Sequence, residues 1–220
     1  MRRFDLVHAS WMLAAALASW LTADARIAAL AGALGLVVLA ALYAGRFTPS
    51  GHFGVANTIT AVRVAIVGGL STLRSVGPPE AVLVLSLLAL DGLDGLVARR
   101  PPQTASEFGA RFDMEADALL VLVFGLKLAE VGRLGAWIVV PGLLRYAYAA
   151  AISIAPRAAE APRSRFGRVI AGTMMTSLAV SAWPIEPIHR PLALLSAGLV
   201  TLSFARSAMQ SIAAARARVV

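Results

Sequence analysis

The stretch DGLDGLVARRPPQTASEFGARFDMEAD, residues 91–117, lies between two apolar runs, EAVLVLSLLAL and ALLVLVFGL. It places four aspartates, Asp91, Asp94, Asp113 and Asp117, beside segments from which charge is normally absent. Taking a carboxylate out of water costs free energy, and acidic residues within membrane segments are rare and usually functional. The stretch therefore predicts a functional site.

The rest of the composition is typical of a helical membrane protein. The 220 residues are 59% hydrophobic, and the mean hydropathy is +0.76. Apolar residues come in blocks of about 20, the length that a helix needs to cross a bilayer. We therefore predict an all-α polytopic membrane protein. Its eight expected helices cover about 8–22, 26–45, 56–75, 79–99, 107–129, 133–155, 166–184 and 189–214.

These helices fall into two groups. Residues 1–50 are expected to form two N-terminal membrane helices, and residues 51–220 a membrane domain of six helices. Proline-containing segments separate several of the helices, because proline lacks the N–H and disfavours a helical residue before it. The first apolar run is short, so it either spans the membrane or lies in the interface.

The excess of basic residues in the chain indicates contact with membrane lipid rather than with nucleic acid. The formal net charge is +8. With the N-terminus in the cytoplasm, most arginines fall on the cytoplasmic side, as the positive-inside rule requires, where they face anionic headgroups. We therefore expect membrane lipids as partners, no nucleic acid, and a multi-pass location in the bacterial inner membrane. The absence of cysteine excludes disulfides, thiolate metal sites and a cysteine nucleophile.

The spacing of the aspartates predicts that they converge. Asp91 and Asp94 are three positions apart and Asp113 and Asp117 four, so each pair shares one face of a helix. A short cytoplasmic loop joins the two helices, which predicts antiparallel neighbours with all four carboxylates at the cytoplasmic membrane edge. Four carboxylates do not stay ionised together without cations, and oxygen ligands suit hard divalent ions. Bridging aspartates can hold two such ions. Protonated or isolated acids are the alternative.

Small residues and one arginine border the same place. Gly95, Ala98 and Gly109 allow close helix approach, and Gly95 also leaves room for a bulky ligand. Arg99 can bind a phosphate, or it can serve only as a positive-inside anchor.

Together these positions resemble the signature of the CDP-alcohol phosphotransferase family. The matching residues are Asp91, Asp94, Gly95, Ala98, Arg99, Gly109, Asp113 and Asp117. The segment NTITAVR, residues 57–63, is similar to the Asn-x-x-Thr-x-x-Arg motif on the family's first core helix. The six helices from about residue 56 onward resemble its six-helix catalytic core.

The resemblance implies transfer of a phosphoalcohol from a CDP-linked donor to an acceptor hydroxyl, with release of CMP. It implies two divalent ions, Mg²⁺ or Mn²⁺, with Asp91, Asp94 and Asp113 as ligands. Asp117 would contact the second ion and act as the general base. Related enzymes are often homodimers, which we expect here too.

The resemblance also assigns substrate contacts. The residues expected to bind the donor nucleotide are Asn57, Thr60, Gly95, Arg99 and Ser106. Candidates for binding an acceptor phosphate or polyol are Arg145 inside a span, and Arg157 and Arg165 at the cytoplasmic edge. Packing or headgroup anchoring is the alternative for these three arginines.

The favoured function is transfer of a phosphatidyl group from CDP-diacylglycerol to a small polar acceptor in phospholipid biosynthesis. One alternative is a CDP-choline or CDP-ethanolamine type donor with a lipid acceptor. A divalent cation transporter is an alternative from another class, because intramembrane acids also mark ion paths.

Overall fold

The computed structural model describes residues 2–97, 106–155, 165–183, 185 and 187–217. Side chains are not described at 2, 90–97, 165–166, 168 and 214–217. Within this part of the chain the structure is all α-helical, which confirms the predicted fold class. The helices are α1 (Arg2–Thr22), α2 (Arg26–Leu42), α3 (Val55–Ser71), α4 (Pro78–Val97), α5 (Glu107–Glu130), α6 (Val140–Ile154), α7 (Arg165–Ser181) and α8 (His189–Ala217).

Three of these helices are long and apolar enough to cross a membrane, judged on the residues that the structure describes. The three segments are Arg3–Thr22, Ala136–Ile154 and His189–Ala213. The first corresponds to the run predicted at 8–22, which starts earlier than expected and is long enough to span. The expected start of the sixth helix at 133 was wrong, because a 3₁₀ turn (Ala136–Val139) precedes α6. The chain is an integral membrane protein.

Helix α5 is the central element of the bundle. It packs against α1, α2, α3, α6 and α7. Ser106 caps its N-terminus by accepting a hydrogen bond from the backbone N–H of Gly109 at 2.9 Å. Glu107 in the first turn and Lys127 in the last turn both complement the helix dipole. Beyond Asp117 the helix is apolar on nearly every side, as expected for a helix enclosed by others.

Glycines bring the neighbouring helices close to α5. A Cβ on Gly142 of α6 would lie 2.6 Å from the Cα of Leu122, so only glycine fits there. A Cβ on Gly32 of α2 would lie 2.3 Å from a terminal methyl of Leu119. Small residues at helix contacts are the usual way to gain packing in a membrane, where burial of apolar surface contributes little. The core helix is thereby fixed from two sides.

The two N-terminal helices are part of the same packing. Helix α1 lies against α6 and α2, and α2 lies against α5 and α3. Ser19 of α1 accepts a hydrogen bond from the buried N–H of Ala28 at 2.9 Å, which joins the two helices. Helices α1 and α2 therefore support α5, and any site on its surface, together with the later helices.

Candidate active site

Three polar side chains recur at every third residue along α3. Asn57, Thr60 and Arg63 are all buried, and the same buried stripe continues into Val67 and Leu70. Gly54, with a φ of 80° that favours glycine, turns the chain into this helix. The motif that the sequence placed on a helix therefore forms one polar face, directed at α5.

Arg63 connects α3 to the predicted site on α5. Its Nη1 donates to Oδ1 of Asp113 at 3.0 Å, and its Nη2 donates to Oδ1 of Asp117. Only 4% of Arg63 is exposed, whereas the two carboxylates remain 31% and 23% exposed. We call Arg63, Asp113 and Asp117 the front cluster. The predicted convergence of Asp113 and Asp117 on one face of α5 is thereby confirmed.

Gly109 explains how α3 approaches α5 beside the front cluster. A Cβ at this position would lie 3.0 Å from Oδ1 of Asn57 and 3.1 Å from Oγ of Ser106. A side chain there would push the amide and the hydroxyl away from the helix. The amide of Asn57 in turn donates to the carbonyl of Phe53, and Thr60 Oγ1 donates to the carbonyl of Ala56 at 3.2 Å. Ser106, predicted only as a donor-binding residue, also has a structural role as the α5 cap.

The other two aspartates lie on the last turns of α4. The backbone of Asp91, Asp94 and Gly95 is helical, but the side chains of the two aspartates lie outside the described residues. Helices α3 and α7 each contact both α4 and α5, so the helices that carry the aspartates share two neighbours. The convergence of all four carboxylates stays a prediction. Arg99, Arg157 and the side chain of Arg165 likewise lie outside the described residues.

The front cluster fits a divalent cation. Asp113 and Asp117 already meet one cationic group, the guanidinium of Arg63, which shows that both carboxylates reach the same cation. Two carboxylates and one guanidinium leave a formal negative charge, and both acids are accessible to water. Within the described side chains no group of three candidate ligands is found, since two of the four aspartates are outside them. The donor set is oxygen only, which suits Mg²⁺ or Mn²⁺.

A second polar cluster lies on the opposite side of α5. We call it the back cluster, and it consists of Asp5, His8, Tyr43, Glu107, Arg111, Glu115 and Arg145. Arg111 pairs with Asp5 of α1 at 2.9 Å, and Glu115 accepts from Arg145 of α6 at 2.6 Å. The Nε2 atom of His8 lies 3.5 Å from the other oxygen of Glu115. The back cluster therefore ties α1 and α6 to α5 through charge.

Arg145 was predicted as an acceptor-binding residue, and its described carboxylate partner is Glu115. Glu115 is two positions from both Asp113 and Asp117, so it points to the other side of the helix. A cavity of about 20 Å³ lies beside the pair, lined also by His8 and Tyr146, and it is large enough for roughly one water. The acceptor-binding role of Arg145 stays a prediction.

Tyr43, directly after the end of α2, completes the back cluster. Its hydroxyl donates to Oε1 of Glu107 at 2.7 Å. Burial, reinforced by this hydrogen bond, raises the pKa of Tyr43 to about 12. The neutral hydroxyl is therefore the stable form over the physiological range.

Sequence reasoning found the front cluster and missed most of the back cluster. Glu115 lies two positions from each front-cluster aspartate, and its contact with Arg145 confirms that it is off their face. No spacing signal identifies His8 or Asp5, because their partners on α5 are more than 100 positions away in the chain. Polar residues three or four positions apart were the one available hint: Asp5 and His8 on α1, and Glu107, Arg111 and Glu115 on α5.

Comparison with known proteins agrees with this site. The family model described as CDP-alcohol phosphatidyltransferase matches residues 53–209, well over half of the chain. The match includes the α3 stripe, both pairs of aspartates and the front cluster. No curated protein and no solved structure matches the chain. The chain belongs to the CDP-alcohol phosphatidyltransferase family, a family of transferases that generally use divalent metal ions.

Proposed function

From this family membership we propose a specific reaction, in which the protein moves a phosphatidyl group from CDP-diacylglycerol to the hydroxyl of a small polar acceptor. The products are a phospholipid and CMP, so the reaction belongs to phospholipid biosynthesis. The observation that supports it best is the front cluster, where Asp113 and Asp117 meet one cation beside the buried Asn57 and Thr60. Membership of a transferase family argues against the cation transporter.

The four aspartates are the proposed metal ligands. Asp91, Asp94, Asp113 and Asp117 would hold two divalent ions, Mg²⁺ or Mn²⁺. When bound, such ions neutralise pyrophosphate oxygens and stabilise a phosphate leaving group. Arg63 would then act behind the ligands, orienting the carboxylates of Asp113 and Asp117 through its two N–H groups.

Asp117 is the proposed general base. The acceptor oxygen attacks the phosphorus that carries the diacylglycerol, and the bond from that phosphorus to the oxygen of CMP breaks. The acceptor proton passes to the carboxylate of Asp117, and CMP leaves with the bonding electrons. A carboxylate that is 23% exposed can receive a proton from an acceptor hydroxyl at the edge of the site.

The remaining polar groups are assigned to the substrates. Asn57, Thr60, Gly95, Arg99 and Ser106 are proposed to contact the nucleotide. Arg157 and Arg165, in or beside the basic segment between α6 and α7, are proposed to attract an anionic acceptor. Arg145 is retained as a further candidate for acceptor binding.

Location and assembly follow from the same proposal. A donor with lipid chains and a water-soluble nucleotide needs a charged site at a membrane edge. The distribution of arginines supports the cytoplasmic edge, in line with the positive-inside rule. We propose the inner membrane of a bacterium as its location, and a homodimer as its assembly.

The test is CMP release by the purified protein. We would supply CDP-diacylglycerol with Mg²⁺ or Mn²⁺ and compare acceptors: glycerol 3-phosphate, inositol phosphate, serine and lipid alcohols. Metal-dependent CMP release with one polar acceptor is expected. Release only from CDP-choline or CDP-ethanolamine with a lipid acceptor would overturn the choice of donor in favour of the alternative.

A single substitution tests whether Asp117 is the general base. Asp117→Asn should still bind the CDP-linked donor, because the other aspartates remain, but transfer should fall by roughly 100-fold or more. Donor binding is measured with radiolabelled CDP-diacylglycerol in nanodiscs. Full turnover in this variant would rule out Asp117 as the base.

A further inference from the structure

An apolar groove of about 560 Å³ opens between α2 and α3. Its volume lies within the roughly 300–1,000 Å³ that is usual for sites of small organic ligands. Alanines on both helices, such as Ala33 and Ala65, give it depth, and Gly68 lines its floor. Helix α2 lies outside the range that the family model matches, so one wall of the groove is an addition to the core.

One end of the groove is one residue away from the front cluster in the chain. At one end it is lined by Phe53 and Phe112, and Phe112 directly precedes Asp113. At the other end it is lined by Arg26, Ser71 and Thr72. From Ala61 to Thr72 the lining follows α3 and its C-cap over eleven helical steps, which is about 16 Å, or half the thickness of the hydrocarbon core.

A polar boundary closes the far end. Arg26 pairs with Asp24 at 2.6 Å in the connection between α1 and α2. Hydrogen bonds from Arg26 lower the pKa of Asp24 to about 2, so the pair stays ionised over the physiological range. The groove is thus apolar along its length, with Phe112, the residue before Asp113, at one end and an ion pair at the other.

We propose that this groove holds one acyl chain of the lipid donor. The proposal rests on the proposed function, because it requires a substrate whose polar group sits at the front cluster while its chain stays in the membrane. An acyl chain satisfies both conditions: it is apolar, thin enough for a groove between two helices, and joined to the phosphate that reacts. Helix α2 then selects donors by the length of this chain.

Two adjacent glycines offer a matched test. Gly68 lines the groove and Gly69 does not, and a Cβ at either position would meet no atom within 4 Å. Both replacements remove a helical glycine, so their effects on helix stability are alike. Gly68 lies seven residues from Ala61, so a side chain there shortens the groove to about 10 Å.

The measurement is CMP release from CDP-diacylglycerols with long or short acyl chains, dioleoyl against dioctanoyl. In Gly68→Leu, the concentration of the long-chain donor that gives the half-maximal rate should rise on the order of tenfold. This is the lower end of the effect that one misfitted methylene group has in an apolar pocket. The same substitution should leave the short-chain donor unaffected, and Gly69→Leu should change neither.

A second readout separates this proposal from the proposed function. A phosphatidic acid with a diazirine at the end of one chain should label α2 and α3 peptides in the wild type and in Gly69→Leu, but much less in Gly68→Leu. Labelling of this kind without CMP release from any CDP-diacylglycerol would support the groove and overturn the donor. Equal labelling and equal chain-length profiles in both variants would overturn the groove.

Discussion

On one face of α5, Asp113 and Asp117 meet a single guanidinium, while on the other face Glu115 meets Arg145 and His8. The front carboxylates keep 31% and 23% of their surface exposed, whereas Glu115 keeps 12%. Excess negative charge with access to water suits metal and substrate binding. Nearly balanced charge out of water suits the holding of helices together, because a buried pair is strongly destabilised when one partner is removed.

The largest expected difference between the two faces is in activity. Asp113→Asn should reduce CMP release about a thousandfold, since loss of a metal ligand removes on the order of 4 kcal/mol of transition-state stabilisation. Its melting temperature should remain that of the wild type, or rise, because two adjacent carboxylates repel each other. Asp5→Asn in the back cluster is the control. A larger loss of activity in the control would reverse the assignment of the two faces.

The next effect concerns Arg63. Arg63→Lys replaces a planar fork by a point charge that does not reach both carboxylates in the same geometry. The concentration of Mn²⁺ for half-maximal activity should rise roughly 10–100-fold, as is usual when a group behind metal ligands is altered. Arg145→Lys should leave the metal dependence unchanged. An unchanged metal dependence in Arg63→Lys would mean that Arg63 is only a packing group.

Arg145 has two candidate roles, one in holding α6 to α5 and one in binding the acceptor. Arg145→Met removes the cation beside Glu115, so the free energy of unfolding should fall by about 3 kcal/mol. The KM for the acceptor, measured at a temperature where the variant is folded, should stay unchanged if Arg145 serves only to hold α6 to α5. A raised KM with unchanged stability would instead assign Arg145 to the acceptor.

The smallest effect is expected at Tyr43. Tyr43→Phe removes its hydrogen bond to Glu107 and should reduce stability by about 1 kcal/mol. Because the pKa of Tyr43 is raised in the folded protein, its contribution is full below about pH 10 and is lost as the pH rises towards 12. Thermal melts in detergent should therefore converge for wild type and variant at high pH. A constant difference up to pH 12 would contradict the buried, neutral hydroxyl.

Much of the front face could be predicted from sequence, because helical periodicity alone brings Asp113 to Asp117 and Asn57 to Arg63. The pairing of Arg63 with both acids could not, since it depends on how α3 lies on α5. Gly109 illustrates the difference: its spacing from Asp113 was visible, but the amide and hydroxyl packed against it were not.

The back face was hidden for a further reason. Arg111 and Asp5 are 106 positions apart, and no spacing rule connects them. The start of α1 at Arg2 was missed because the charged residue Asp5 interrupts the hydropathy of its first turn. Asp5 also contacts Arg111 of α5, so the residue that hid the start of the helix helps to fix the helix in the bundle.

The most direct test compares two isosteric changes two positions apart on α5, with turnover and melting temperature measured on the same samples. Asp117→Asn should lose roughly 100-fold or more in CMP release and keep its melting temperature. Glu115→Gln should lose about 3 kcal/mol of stability and keep its turnover while folded. Retained turnover in Asp117→Asn, or a loss of turnover in Glu115→Gln as large as that expected for Asp117→Asn, would contradict the division of α5 into a chemical face and a structural face.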